Sequence, residues 1–153
     1  MARISQRAMN NVVIFAMLIM IALFNIDQFL PQEEGNAIIP LVPEDAYILK
    51  IEQGQNQLVR QGQGWQQVVT SDDVNVTPQA QLQAWQQAAL ERTKMAQEPT
   101  GEPLVVVVWL AGQSDGLVFA FYPHVEATYV KHKNKWFILS NATLAQLLPW
   151  NTE

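Results

Sequence analysis

The sequence predicts an α+β protein, with one N-terminal transmembrane helix followed by a small domain of antiparallel β-meanders and two helices packed on one face. Three observations predict it. Residues 12–24 (VVIFAMLIMIALF) contain no polar side chain. From Ala46 onward short segments alternate apolar and polar residues between glycines, the period of half-buried strands. Two later segments, beginning near Thr77 and Asn141, change to a helical period.

The apolar segment extends from Ala8 to Ile26, 19 residues between Arg7 and Asp27. At about 1.5 Å per residue this is one bilayer crossing. Nine of residues 12–24 are Val, Ile, Leu or Phe. Together they favour insertion by about 3 to 5 kcal/mol, enough to outweigh the flanking Asn10, Asn11 and Asn25. Arg3 and Arg7 precede the span, whereas Asp27, Glu33 and Glu34 follow it. Positive charge stays inside, which predicts a cytoplasmic N-terminus (residues 1–7), an anchor over 8–30 and a periplasmic C-terminal domain of a bacterial inner-membrane protein. A cleaved signal has small residues close behind a shorter core. The one such site here, Gly35-Asn36-Ala37, is distant from the core, so an uncleaved anchor is the favoured expectation.

Residues 31–45 read as a linker with three prolines and a glycine, in which the IIPLV piece can pack at a sheet edge. The domain then occupies 46–153. Strands are predicted over Tyr47–Glu52, Gln57–Arg60 and Trp65–Thr70, separated by Gly54, Gly62 and Gly64. Thr77 suits an N-cap and Pro78 the first helical position. A stripe of Leu82, Trp85, Ala89 and Arg92 or Met95 predicts a helix running to Pro99 and Gly101. LVVVVWL, residues 104–110, predicts a central strand buried on both faces, with Trp109 in the core. Strands over Leu117–Tyr122, Ala127–Lys131 and Lys135–Leu139, then a helix over 141–148, complete the chain. The two halves share an outline: a meander carrying a Trp (Trp65, Trp136), then a helix.

Composition excludes several functions. A formal net charge of −5 argues against nucleic-acid binding, which rests on clustered Lys and Arg. The absence of cysteine removes disulfides and thiolate chemistry. GQSDG, residues 112–116, matches G-x-S-x-G, but a nucleophile elbow turns from strand into helix. Here a strand sequence follows, and Asp115-Gly116 signals a hairpin, so Ser114 reads as a turn residue. His124 and His132, the two histidines, lie at a strand end and a hairpin tip and lack metal-ligand spacing. No catalytic, cofactor or metal site is expected. Candidate partner contacts are the basic tip of Lys131, His132, Lys133 and Lys135, and Trp150, which reads as exposed beside Pro149. Residues 53–97 also carry 13 glutamines, an uncharged solvent face or a polar docking surface.

The segments ILKIEQGQNQLVRQGQGWQQV, with the Thr-Pro-started helix after it, and ATYVKHKNKWFILSNATLAQLL resemble an uncharacterised bacterial family of membrane-anchored periplasmic domains. Some members of that family are encoded beside gliding-type ABC transporters. The resemblance covers roughly residues 46–95 and 127–148. It implies an accessory role and brings no catalytic residues. The expectation is therefore a non-catalytic binding or accessory subunit of an envelope complex, with a membrane and a protein as partners. The alternatives are a secreted binding protein released near Ala37 and a small hydrolase using Ser114.

Overall fold

The computed structural model describes residues 5–26, 37–95 and 97–151. Residues 27–30 of the expected anchor, 31–36 of the expected linker, and the Gly35-Asn36 part of the cleavage candidate lie outside them. The chain divides into two units, before and after residue 35.

In the first unit, helix α1 runs Gln6–Phe24. Ser5 caps it by accepting a hydrogen bond from the Ala8 N–H at 3.2 Å. At the other end the Asn25 side chain donates to the Ile21 carbonyl at 2.8 Å, satisfying one of the carbonyls that a helix terminus leaves open. By length and composition α1 suffices to cross a membrane.

The second unit is a nine-stranded, wholly antiparallel sheet with two helices. The strands are β1 (Ile38–Pro40), β2 (Ile48–Gln53), β3 (Asn56–Gln61), β4 (Gly64–Val68), β5 (Ala89–Arg92), β6 (Leu104–Leu110), β7 (Leu117–Pro123), β8 (Thr128–His132) and β9 (Lys135–Ser140). Their spatial order is β1-β5-β9-β8-β7-β6-β2-β3-β4. Both predicted meanders are present, β2-β3-β4 and β6-β7-β8-β9, joined through the β2–β6 ladder. The IIPLV piece packs at an edge as anticipated, as β1, while Leu41 and Val42 after it enter the core.

Helix α2 (Pro78–Gln87) starts as its sequence dictates. Thr77 accepts from the Ala80 N–H at 3.2 Å, and Pro78 occupies the first turn. It ends earlier than the apolar stripe predicts. Ala88 is extended (φ −62°, ψ 142°), and Ala89–Arg92 form β5 between β1 and β9. Leu90, at 1% exposed, joins the core from a strand rather than a helix. Pairing on both sides of β5 outweighs the helical preference of Ala-Ala-Leu-Glu-Arg, a few tenths of a kcal/mol per residue. Helix α3 (Leu144–Leu147) is shorter than expected. Thr143 and Gln146 hold its start in a capping box.

Both helices lie on one face of the sheet, and the core sits between. Trp85 of α2 is fully buried against Phe119 and Phe121, with ring centroids 6.3 and 6.0 Å away. The Leu147 carbonyl of α3 accepts two hydrogen bonds, from Gln81 Nε2 at 2.8 Å and Trp85 Nε1 at 2.9 Å. Gln81 is the buried polar side chain of this core. It also accepts from Gln67 Nε2 at 2.7 Å, so its burial carries no unpaired group.

Two core expectations are corrected. Strand β6 is buried on one face only: Val106 and Val108 are sealed, while Val105 is 46% exposed and Val107 and Trp109 are half-buried. Trp85 of α2 packs on the other face, against Phe119 and Phe121, so the β-branched run records strand preference rather than two-sided burial. Trp109 consequently lies outside the core, and Trp85 is the central tryptophan. Trp150, expected at the surface, is 6% exposed; the turn after Pro149 folds its ring inward. Its indole N–H donates to Gln53 Oε1 at 2.7 Å, beside a second bond from Asn151 Nδ2 at 3.0 Å.

Candidate functional site

The helix side of the domain carries a cleft of about 490 Å³ along α2. Its wall holds Asn75, Thr77, Ala80, Gln83 and Gln87 from α2 and its approach, with Asn141 and Gln146 from the approach to α3 and α3 itself. The local sequence explains the arrangement. Asn75-Val76-Thr77 and Asn141-Ala142-Thr143 each deliver a helix-capping threonine, so each meander ends in an asparagine beside a helix start. The two helices touch, bringing both asparagines to one cleft. Gln83 and Gln87 are four apart on α2 and share a face.

Among the described residues no ionisable side chain lines this cleft. Each carboxamide offers a donor and an acceptor in fixed relation, the complement of a peptide group. The wall therefore suits an uncharged, hydrogen-bond-rich guest. Part of Gln146 is already committed, since its Oε1 accepts from the Thr143 N–H at 3.0 Å.

The opposite face of the sheet is open and half apolar. Trp109, Tyr122 and Trp136 stand on it with Val105 and Val118. Tyr122 and Trp136 pack with centroids 5.2 Å apart. Each tryptophan carries a lysine ammonium over its ring: Lys50 lies 5.6 Å from the Trp109 centroid and Lys131 lies 5.1 Å from that of Trp136. Glu52 accepts from Lys50 Nζ at 2.7 Å and from Trp109 Nε1 at 2.9 Å. The bond from Lys50, then that from Trp109, holds the Glu52 carboxyl below its ordinary range, against a smaller opposing effect of burial.

The residues singled out from sequence are not brought together. Lys131 lies on the open face and approaches Glu98 at 3.5 Å. His132 is turned onto Phe119, stacked at 4.4 Å, with Nδ1 2.8 Å from the Val118 carbonyl oxygen. The tip itself is Lys133-Asn134, with φ 49° and 61°, and Lys133 and Lys135 are exposed. Trp150 is buried, as described above. The basic tip is thus a two-residue turn whose flanks face different neighbours.

Ser114 is exposed in the connection from β6 to β7, a strand-to-strand turn without the helix that an elbow requires. Both glycines of GQSDG serve this turn. Gly112 has φ +78°, and a Cβ on Gly116 would collide with Val107 and touch Trp109 at 3.4 Å. Among the described residues no group of three or more His, Asp or Glu gathers where it could hold a metal ion.

The sequence offers the glutamines of residues 53–97 as a polar docking surface without locating the cleft that Gln83 and Gln87 line, and it does not announce the open aromatic face. The recurrence of N-x-T before both helices was a visible signal for the first. For the second, the signal was the alternation of Lys50 and Glu52 with buried Ile51 on the neighbouring strand. Comparison with protein-family models, curated proteins and solved structures finds no match.

Proposed function

We propose that this chain is a non-catalytic, membrane-anchored binding subunit of a bacterial envelope complex, with its domain in the periplasm. The observation that carries this reading is the amide-lined cleft along α2, whose carboxamides match the peptide groups of a partner protein segment. Helix α1 supports the anchor, being apolar all round from Val12 to Phe24, the pattern of a helix that needs an apolar medium. The arginines before it and the acids after it favour the outward orientation. The family resemblance suggests a transporter as the complex.

The test is recovery of tagged full-length protein from native membranes in mild detergent, with partners identified by mass spectrometry. A stoichiometric envelope protein, lost when Ala80→Trp and Gln83→Lys fill and charge the cleft, is the expected result. Recovery of this chain alone, or a partner indifferent to both changes, overturns the cleft as the binding surface.

A further inference from the structure

We propose, independently of the cleft along α2 and of the anchor, that strand β4 is a pairing edge. Its occupant is β4 of a second copy of this chain, antiparallel and centred on Gln66. The open sheet has two edges, β1 and β4. An edge strand leaves backbone N–H and C=O groups unpaired, and proteins blunt it with brevity, proline, charge or a bulge. The β1 edge is blunted: it is three residues long and ends in Pro40, which has no N–H. The β4 edge has none of these devices. Its five residues, GWQQV, keep unbroken register with β3 from Gly64 to Val68. The whole stretch 61–71 (QGQGWQQVVTS) holds no charged side chain and no proline. Among the described residues no backbone bond from a turn, loop or cap reaches β4.

The β3–β4 hairpin fixes which groups face outward. Gln61 and Gly64 are partners across the two-residue turn Gly62-Gln63, with Gly62 at φ +61°. Bonded and non-bonded residues alternate from that pair. Gly64, Gln66 and Val68 therefore bond inward to β3, and Trp65 and Gln67 turn their backbone groups outward. A second β4 running antiparallel, with Gln66 opposite itself, meets these groups in kind. Trp65 of each copy exchanges N–H and C=O bonds with Gln67 of the other. Gln66 then forms the closer, non-bonded pair, where its carboxamide can donate to and accept from its counterpart. Charge matches as well. Exposed Arg60 stands near the turn end of the hairpin, over the Tyr47 ring at 4.5 Å and donating from Nε to the Gly62 carbonyl. The exposed pair Asp72-Asp73 follows the opposite end of β4. None of these three charges is in an ion pair among the described residues. Antiparallel pairing sets the Arg60 end of each copy beside the Asp72-Asp73 end of the other, twice over by the two-fold axis. This local match offsets the like net charge of −5, whereas parallel pairing would bring like ends together. The contact uses β4 completely and β1 is blunted, so association closes at two copies.

The chain has no cysteine, so a single introduced one reports the register directly. The test is copper-phenanthroline oxidation of full-length Gln66→Cys and Val68→Cys in native membranes, read on non-reducing gels. In the proposed register the two Gln66 Cα atoms lie about 4.5 Å apart, within the disulfide limit of about 7 Å. Val68 falls opposite Gly64 of the other copy, which leaves the two Val68 Cα atoms about 14 Å apart at about 3.4 Å per residue. A disulfide-linked dimer is expected with Gln66→Cys and not with Val68→Cys. In mild detergent, Gln66→Lys sets like charges face to face and is expected to abolish the dimer that the unaltered protein shows by sedimentation. Arg60→Asp is expected to weaken the dimer, and its combination with Asp72→Arg and Asp73→Arg to restore it. All these side chains are exposed, so the variants keep the fold, which an unchanged denaturation midpoint verifies. Crosslinking of Val68→Cys as readily as Gln66→Cys, crosslinking of neither, or a dimer indifferent to Gln66→Lys or to the charge exchange overturns the proposal. Crosslinking of Gln66→Cys to a different protein assigns the edge to a foreign strand and also overturns it.

Discussion

Trp109 donates its indole N–H to Glu52 Oε1 at 2.9 Å across the β2–β6 ladder, and Glu52 also receives Lys50 Nζ at 2.7 Å. This three-residue cluster sits at the junction of the two meanders, where Lys50 pairs with Trp109 in register. It satisfies three polar groups on a face that would otherwise present an indole N–H beside bare apolar surface.

The cluster gives stability a pH dependence of known sign. The Glu52 carboxyl is held below its ordinary range in the folded state, so it adds stability above its unfolded pKa and loses it as pH falls through the folded value. Because the group is partly exposed, with 28% of its side chain accessible, the effect is small, under about 1 kcal/mol at neutral pH. Glu52→Gln should therefore lower the urea midpoint slightly at pH 7. The difference from the wild type should vanish on acidification through the carboxylate range. Urea titrations of both proteins across that range check it.

Gln81 is expected to matter more than any of the other twelve glutamines of residues 53–97. It is fully buried, donates to the Leu147 carbonyl at 2.8 Å and accepts from Gln67 at 2.7 Å, fastening α2 to α3 and to β4. Gln81→Ala leaves the Gln67 amide without one partner and opens a cavity, costing about 2–4 kcal/mol. Gln83→Ala, on the exposed cleft wall, should stay within about 0.5 kcal/mol. Tryptophan-monitored denaturation separates them.

These two glutamines show where the sequence was legible. Period-two alternation and glycine spacing reveal the meanders, although the irregularity between Ile48 and Lys50 in β2 buries Ile48 with Ile51 and leaves Tyr47 and Leu49 exposed, against the simple alternation of Tyr47, Leu49 and Ile51. The α2 start was equally plain in Thr77-Pro78. Its end was not, because β5 exists only through partners distant in sequence, β1 and β9. Trp109 and Trp150 were exchanged in the reading for the same reason. Which face of a sheet a helix covers, and whether a C-terminal turn folds inward, depends on contacts that no local pattern encodes. The glutamine-rich stretch suggests a polar surface but not its place, because amides look alike whether they bridge a core, as Gln81 does, or line a surface, as Gln83 does.

The fate of the N-terminal segment is checked by intact mass of protein recovered from membranes. An uncleaved anchor retains residues 8–26, and a C-terminal reporter active only outside the cytoplasm should be active. Loss of the first 37 residues would replace the anchored reading with a secreted one.

A serine nucleophile and a hairpin turn make opposite demands on GQSDG, and two substitutions separate them. If the segment is a turn, its glycines are the sensitive positions. Gly116 abuts Val107 and Trp109 so closely that an added methyl forces side chains of β6 to move. Crowding of this kind costs about 1–3 kcal/mol. The displacement also disturbs the Trp109–Glu52 bond, so Gly116→Ala should shift tryptophan emission as well as lower the denaturation midpoint. Ser114 is exposed at the tip, and Ser114→Ala should change stability by less than about 0.5 kcal/mol. A nucleophile predicts the reverse ranking in function: partner recovery or any envelope phenotype lost with Ser114→Ala while the fold stays intact. Measuring both variants for stability and for partner capture decides between them. Full function in Ser114→Ala beside a destabilised Gly116→Ala is the outcome expected of a turn.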